Sequence, residues 1–227
     1  MADDDLATLV SALDVEPTRG NDRAATGSTV LSVSCTLGDC DHDPAWLTEA
    51  PVDHVGVTTL GPRTWEQQNG ERVLSASIRR LIADRPVAAI VVVGHTDCDV
   101  VADAYDHAHD ATASAAAGIQ ATLAPLATMV DEATAAGVVG PEDSPRQARQ
   151  RLAEYNVVRN VAFLRSQFPA MTVAGVVTDR AGVYGSFPGK QYLVALDDAA
   201  EPTALRARLP DDAQLSVGCQ LSPASTR

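Results

Sequence analysis

Ala89-Ile-Val-Val-Val-Gly-His-Thr-Asp-Cys98 decides how this chain is read. Its first half is a continuous apolar run rich in β-branched residues, the pattern of a strand buried on both faces. In an open parallel sheet, ligands gather just beyond the carboxyl ends of the strands, where this strand presents His95 and Cys98. An imidazole and a thiolate three residues apart can reach one ion as the chain turns from strand to helix, and that donor mixture favours zinc. Two ligands do not hold a zinc, so a third must come from elsewhere. Ser28-Thr-Val-Leu-Ser-Val-Ser-Cys35 is a second short β-branched run that ends on a cysteine. If the two strands lie side by side and parallel, Cys35 arrives next to His95 and Cys98.

Cys35, followed about sixty residues later by Gly94-His95-Thr96-Asp97-Cys98, resembles the zinc signature of the beta-class carbonic anhydrases. Glu154 to Arg165, followed by Val173 to Gly182, is similar to that family's late helix, strand and turn, so the likeness spans roughly residues 28 to 196. The resemblance implies an α/β fold with a mainly parallel central sheet flanked by helices. It also implies Zn2+ at Cys35, His95 and Cys98, and reversible hydration of carbon dioxide to bicarbonate. One departure stands out. The family's first cysteine opens Cys-x-Asp-x-Arg, whose aspartate orients zinc-bound water or closes off the zinc, whereas this chain reads Cys35-Thr-Leu-Gly-Asp-Cys40. Leu37 occupies the aspartate position and Asp39 the arginine position.

Three roles are therefore open in the acidic loop after Cys35. Asp39 can take over the missing carboxylate role, as the candidate catalytic residue or as a zinc ligand. Cys40 can instead complete a closed, structural four-coordinate site. His42 is a solvated loop histidine or a proton shuttle. The alternatives to a carbonic anhydrase are a catalytically silent zinc-binding homologue, acting as a scaffold or bicarbonate binder, and a hydrolase of a related small molecule such as carbon disulfide or carbonyl sulfide. A nucleotide-binding domain ranks last, because neither Gly-x-Gly-x-x-Gly after a strand nor a phosphate loop is present.

Length and composition bound the rest. The 227 residues, 45% hydrophobic, suit one α/β domain, expected over 28–227 and preceded by a helical arm and connector over 1–27. Arms of this kind in the resembling family embrace a second subunit, which implies a homodimer or higher homo-oligomer. No stretch reaches the roughly 20 apolar residues of a membrane span, and Met-Ala-Asp-Asp-Asp lacks a cationic leader, so a cytoplasmic protein is expected. The formal net charge is −13 and the only lysine is Lys190. An acidic surface of this kind repels nucleic acid and anionic membranes, and suits a halophilic cytoplasm where salt screens self-repulsion.

Along the chain, the spacing predicts a strand over 52–58, with His54 an alternating side chain. A crossover helix follows over 71–83, carrying Val73, Leu74, Ile78, Leu81 and Ile82. Helices are expected from 99 to 109, from 118 to 136 and from the loop at 137–145 through 167. A strand follows over 171–178, an edge strand over 191–196 and a short last helix over 204–209. His107 and His109 are two apart on a helix and make a poor metal pair. The chain beyond 209, with Cys219, reads as a loose polar tail.

Overall fold

The computed structural model describes residues 29–36, 47, 52–109, 117–185 and 188–221. Its elements are β1 (Thr29–Cys35), β2 (Asp53–Thr59), β3 (Trp65–Gln68), β4 (Glu71–Leu74), α1 (Ala76–Asp84) and β5 (Val87–His95). There follow α2 (Asp99–His109), α3 (Ala117–Ala135), α4 (Pro145–Gln167), β6 (Thr172–Thr178), β7 (Gln191–Leu196), α5 (Pro202–Arg206) and a 3-10 turn, Ala213–Ser216. The expected arm over 1–27 lies outside the described residues.

Five strands form one sheet in the order β2-β1-β5-β6-β7. The first four run parallel, and β7 is an antiparallel edge strand joined to β6. This is the mainly parallel α/β sheet flanked by helices that the sequence predicts. Every residue of β1 is buried, as are the middle residues of β6, because helices and turns cover both faces. Alternate residues of β5 feed two cores. Ala89, Val91 and Val93 pack with Leu193, Leu205, Ala213 and Val217 on one face. Ile90 and Val92 pack with Ile78, Val157, Val161 and Leu164, from α1 and α4, on the other.

Helix α4 is started by Ser144, which accepts from the Gln147 N–H in a capping box, with Pro145 in its first turn. It lies unusually close to the sheet. A Cβ on Gly94 would sit 2.4 Å from Val157 Cγ2, and one on Gly175 would sit 2.7 Å from Val157 Cγ1. Both glycines exist where the helix axis approaches the strands, and Gly94 immediately precedes His95.

Three expectations need correction. The segment 71–83 is not one helix: 71–74 is a strand paired with 65–68, and the helix begins at Ala76. Asn69 and Gly70, both with positive φ (53° and 84°), make the two-residue turn of a hairpin, and that local geometry overrides the helical spacing of Val73 and Leu74. Nor is the chain beyond 209 loose as far as Leu221. Ala213 and Val217 complete one core, and Val217 bridges to Leu193. The last helix begins earlier than expected, with Pro202 in its first turn. No helix among the described residues is long and apolar enough to cross a membrane.

Candidate metal centre

Strands β1 and β5 are adjacent and parallel, with Ser34 opposite Val93, so their carboxyl ends emerge together. Cys35 is the last residue of β1 and His95 the last of β5, while Cys98 closes the turn before α2. Asp97 takes a positive φ of 57° in that turn, a conformation that aspartate tolerates better than most residues. All three side chains are buried, and one donor atom from each lies within 4.8 Å of the others.

The spacing permits a direct test of fit. Two sulfurs bound tetrahedrally to zinc, each at about 2.3 Å, lie about 3.8 Å apart. The Sγ atoms of Cys35 and Cys98 are 3.9 Å apart, close to that value and far beyond the roughly 2.0 Å of a disulfide. His95 Nδ1 lies 2.9 Å from the carbonyl oxygen of Thr96. A carbonyl can only accept, so Nδ1 carries the proton and Nε2 keeps a lone pair for an ion. The donor set, its burial and its spacing all fit zinc.

Electrostatics points the same way. The hydrogen bond to Cys35, together with burial, pushes the Cys98 thiol well up, while backbone N–H groups of Val101 and Val100 pull it down. In the absence of a cation, these surroundings favour the neutral thiol of Cys98 over its thiolate. A dication compensates two buried thiolates, and the amide dipoles at the start of α2 already favour one of them.

Asp39, Cys40, His42 and Leu37 lie outside the described residues. His54 is remote from the cluster in role, since its Nε2 meets Ser32 Oγ at 3.0 Å across the β2–β1 pair. His109 is exposed, its Nδ1 donating to the Tyr105 carbonyl at 2.8 Å one turn back.

Sequence reasoning missed two supports behind the cluster. Thr96 and Asp179, 83 residues apart, are fully buried and joined through Oγ1 and Oδ1 at 3.4 Å. The Asp-x-x-Gly turn at 179–182 was the sole local signal for Asp179. Glu154, on α4, is a buried carboxylate that accepts from Tyr184 Oη (2.5 Å), Gln220 N (2.6 Å) and Leu221 N (3.4 Å). Burial pushes its carboxyl above the usual range against these donors. Glu154 thus ties down the C-terminal segment, where Leu221 and Cys219 join the apolar cluster that contains Cys35 and Cys98. Cys219 is half-buried and its thiol lies 3.0 Å from the Leu221 carbonyl, so it is not incidental to the packing.

The family profile described as carbonic anhydrase matches residues 62–187, more than half of the chain. Among solved structures, the chain resembles the Coccomyxa beta-carbonic anhydrase in complex with acetazolamide, with a TM-score of 0.53 at 17% identity over 94% of this chain and 89% of that one. The beta-carbonic anhydrase CafA of the fungal pathogen Aspergillus fumigatus gives 0.52 at 23% identity, over 80% and 81%. A mutant of the beta-carbonic anhydrase CafD from the same fungus gives 0.51 at 16% identity, over 80% and 99%. At these identities the likeness concerns the fold. No curated protein matches the sequence.

Proposed function

The chain belongs to the beta-carbonic anhydrase family, and on that premise we propose that it binds zinc through Cys35, His95 and Cys98 and catalyses the reversible hydration of carbon dioxide to bicarbonate. The observation that carries this reading is the convergence of two sulfurs and one imidazole at the ends of adjacent strands, at a separation matching tetrahedral zinc.

Zinc in such a site supplies Lewis acidity, which acidifies water and polarises a carbonyl oxygen. The protein's own contributions follow from its residues. Two thiolates neutralise the dication, leaving less positive charge than three neutral imidazoles would. A hydrogen-bond acceptor close by therefore gains importance, and Asp39, four residues after Cys35, is the proposed acceptor. The buried apolar shell of Val100, Val101, Ala104 and Leu126 around the cysteines keeps bulk water out and suits a small uncharged substrate. We take residues 28–227 as one zinc-binding unit, acting in the cytoplasm as a homodimer or higher homo-oligomer.

Leu37, where the family places its aspartate, favours one competing reading: a zinc-stabilised homologue without turnover, closed by Asp39 or Cys40. Stopped-flow hydration of carbon dioxide by zinc-loaded protein in molar salt, against His95→Ala, separates the two. Catalysis well above the buffer rate and absent from the variant supports the anhydrase. A folded protein with one zinc per chain and no rate above background rejects it and leaves the silent homologue, or a hydrolase of a related small electrophile.

A further inference from the structure

The Nδ1 atom of His95 meets the Thr96 carbonyl at 2.9 Å, so the placement of the Thr96 peptide bears directly on the orientation of the ring. That residue is tethered at every polar atom. Its N–H donates to the Thr178 carbonyl at 3.0 Å, at the end of β6. Its Oγ1 accepts from the Arg180 N–H at 2.7 Å and the Ala181 N–H at 2.9 Å. With both lone pairs so occupied, the hydroxyl proton is left for Asp179 Oδ1, 3.4 Å away.

Asp179 is itself a costly residue to place here. Its carboxylate is fully buried and has no ion pair among the described residues. Its oxygens accept hydrogen bonds from Thr96 Oγ1 at 3.4 Å and Val183 N at 2.9 Å on Oδ1, and from Tyr184 N at 2.9 Å on Oδ2. Burying a carboxyl group away from water is costly unless its oxygens are hydrogen-bonded, and these donors meet that requirement. What that geometry fixes is Thr96, the residue between two metal-binding positions in the same turn.

We infer that Thr96 and Asp179 are positioning residues for the metal. Asp179 orders the turn after β6 and holds the Thr96 hydroxyl, the hydroxyl clamps that turn to the end of β5, and the clamped Thr96 carbonyl fixes the tautomer and orientation of His95. The inference rests on the zinc reading proposed above. It assigns to β6 and its turn, which supply no ligand, a share in setting zinc affinity.

Zinc affinity measured by competition with a chromophoric chelator tests it on the full chain. Thr96→Val keeps the shape but removes the acceptor for two buried N–H groups, and is expected to weaken zinc binding by roughly 10–100-fold, the usual effect of losing a partner behind a metal ligand. Thr96→Ser restores the hydroxyl and is expected to recover most of that loss. Asp179→Asn places an amide among donors on both oxygens and is expected to resemble Thr96→Val. A purely structural role would lower thermal stability and leave the zinc affinity of the folded protein unmoved, so equal affinity in a folded Thr96→Val protein overturns the inference.

Wild-type protein offers a second measurement that needs no variant. If the clamp favours zinc, zinc must favour the clamp by the same factor. Zinc should then slow amide hydrogen exchange at Arg180 and Ala181, which supply no metal ligand. Exchange there that is the same with and without bound zinc overturns the inference while leaving the zinc site standing. Failure of the wild type to bind zinc at all removes both.

Discussion

Replacing Gly94 by alanine should destabilise the fold through one identifiable collision. The new Cβ would stand 2.4 Å from Val157 Cγ2, about 1 Å inside ordinary van der Waals contact. Val157 is fully buried on α4 and cannot swing clear, since a β-branched residue in a helix holds essentially one χ1 rotamer. Its other methyl is already confined by Gly175. The helix itself must therefore back off, loosening its seat on β5 and β6. Overpacking of this kind costs about 1–3 kcal/mol, and the rigidity of Val157 places this case toward the upper end. For a chain of this size, that corresponds to a fall in Tm of roughly 4–12 °C. Thermal unfolding of the metal-free protein, followed by circular dichroism, gives the number. Val157→Ala should be destabilising alone yet relieve Gly94→Ala, so that the double variant is more stable than the summed single effects by about 1 kcal/mol or more. A Gly94→Ala protein that melts within about 1 °C of wild type, or strictly additive effects in the cycle, would refute the steric argument.

Three other outcomes are expected. Glu154 holds its proton to higher pH in the fold than in the unfolded chain, so its contribution is fully present below the ordinary glutamate range and is lost as pH rises through the raised folded value; Glu154→Gln should lack this decline, and parallel Tm-against-pH curves for the two proteins would contradict it. Asp39→Ala should retain one zinc per chain, by metal analysis, while losing hydration activity; unchanged turnover removes Asp39 from its proposed role. With a formal net charge of −13, the protein should be more stable in molar salt than in dilute buffer, and equal unfolding midpoints in the two would count against a halophilic adaptation.

Much of the architecture is legible in local pattern. The apolar runs ending at Cys35 and His95 mark strands buried on both faces, and such strands belong to parallel sheets covered by helices. The hairpin at 65–74 was missed: the spacing of Val73, Leu74 and Ile78 satisfies a helix, and the Asn69-Gly70 turn prevails because both its residues adopt left-handed backbone. The C-terminal segment reads as polar and loose because its anchors are distant: Glu154 receives Gln220 N and Leu221 N from 66 and 67 residues away.

The sequence by itself determined the five strands of the main sheet and the three residues able to hold a metal, because β-branching, apolar runs and ligand chemistry are properties of neighbouring residues. Tertiary structure alone decided that β1 lies against β5, which sets the two sulfurs 3.9 Å apart, and that the turn after β6 reaches back to Thr96. These are contacts between segments far apart in the chain, chosen by how the whole sheet and its helices pack, and no local pattern encodes them.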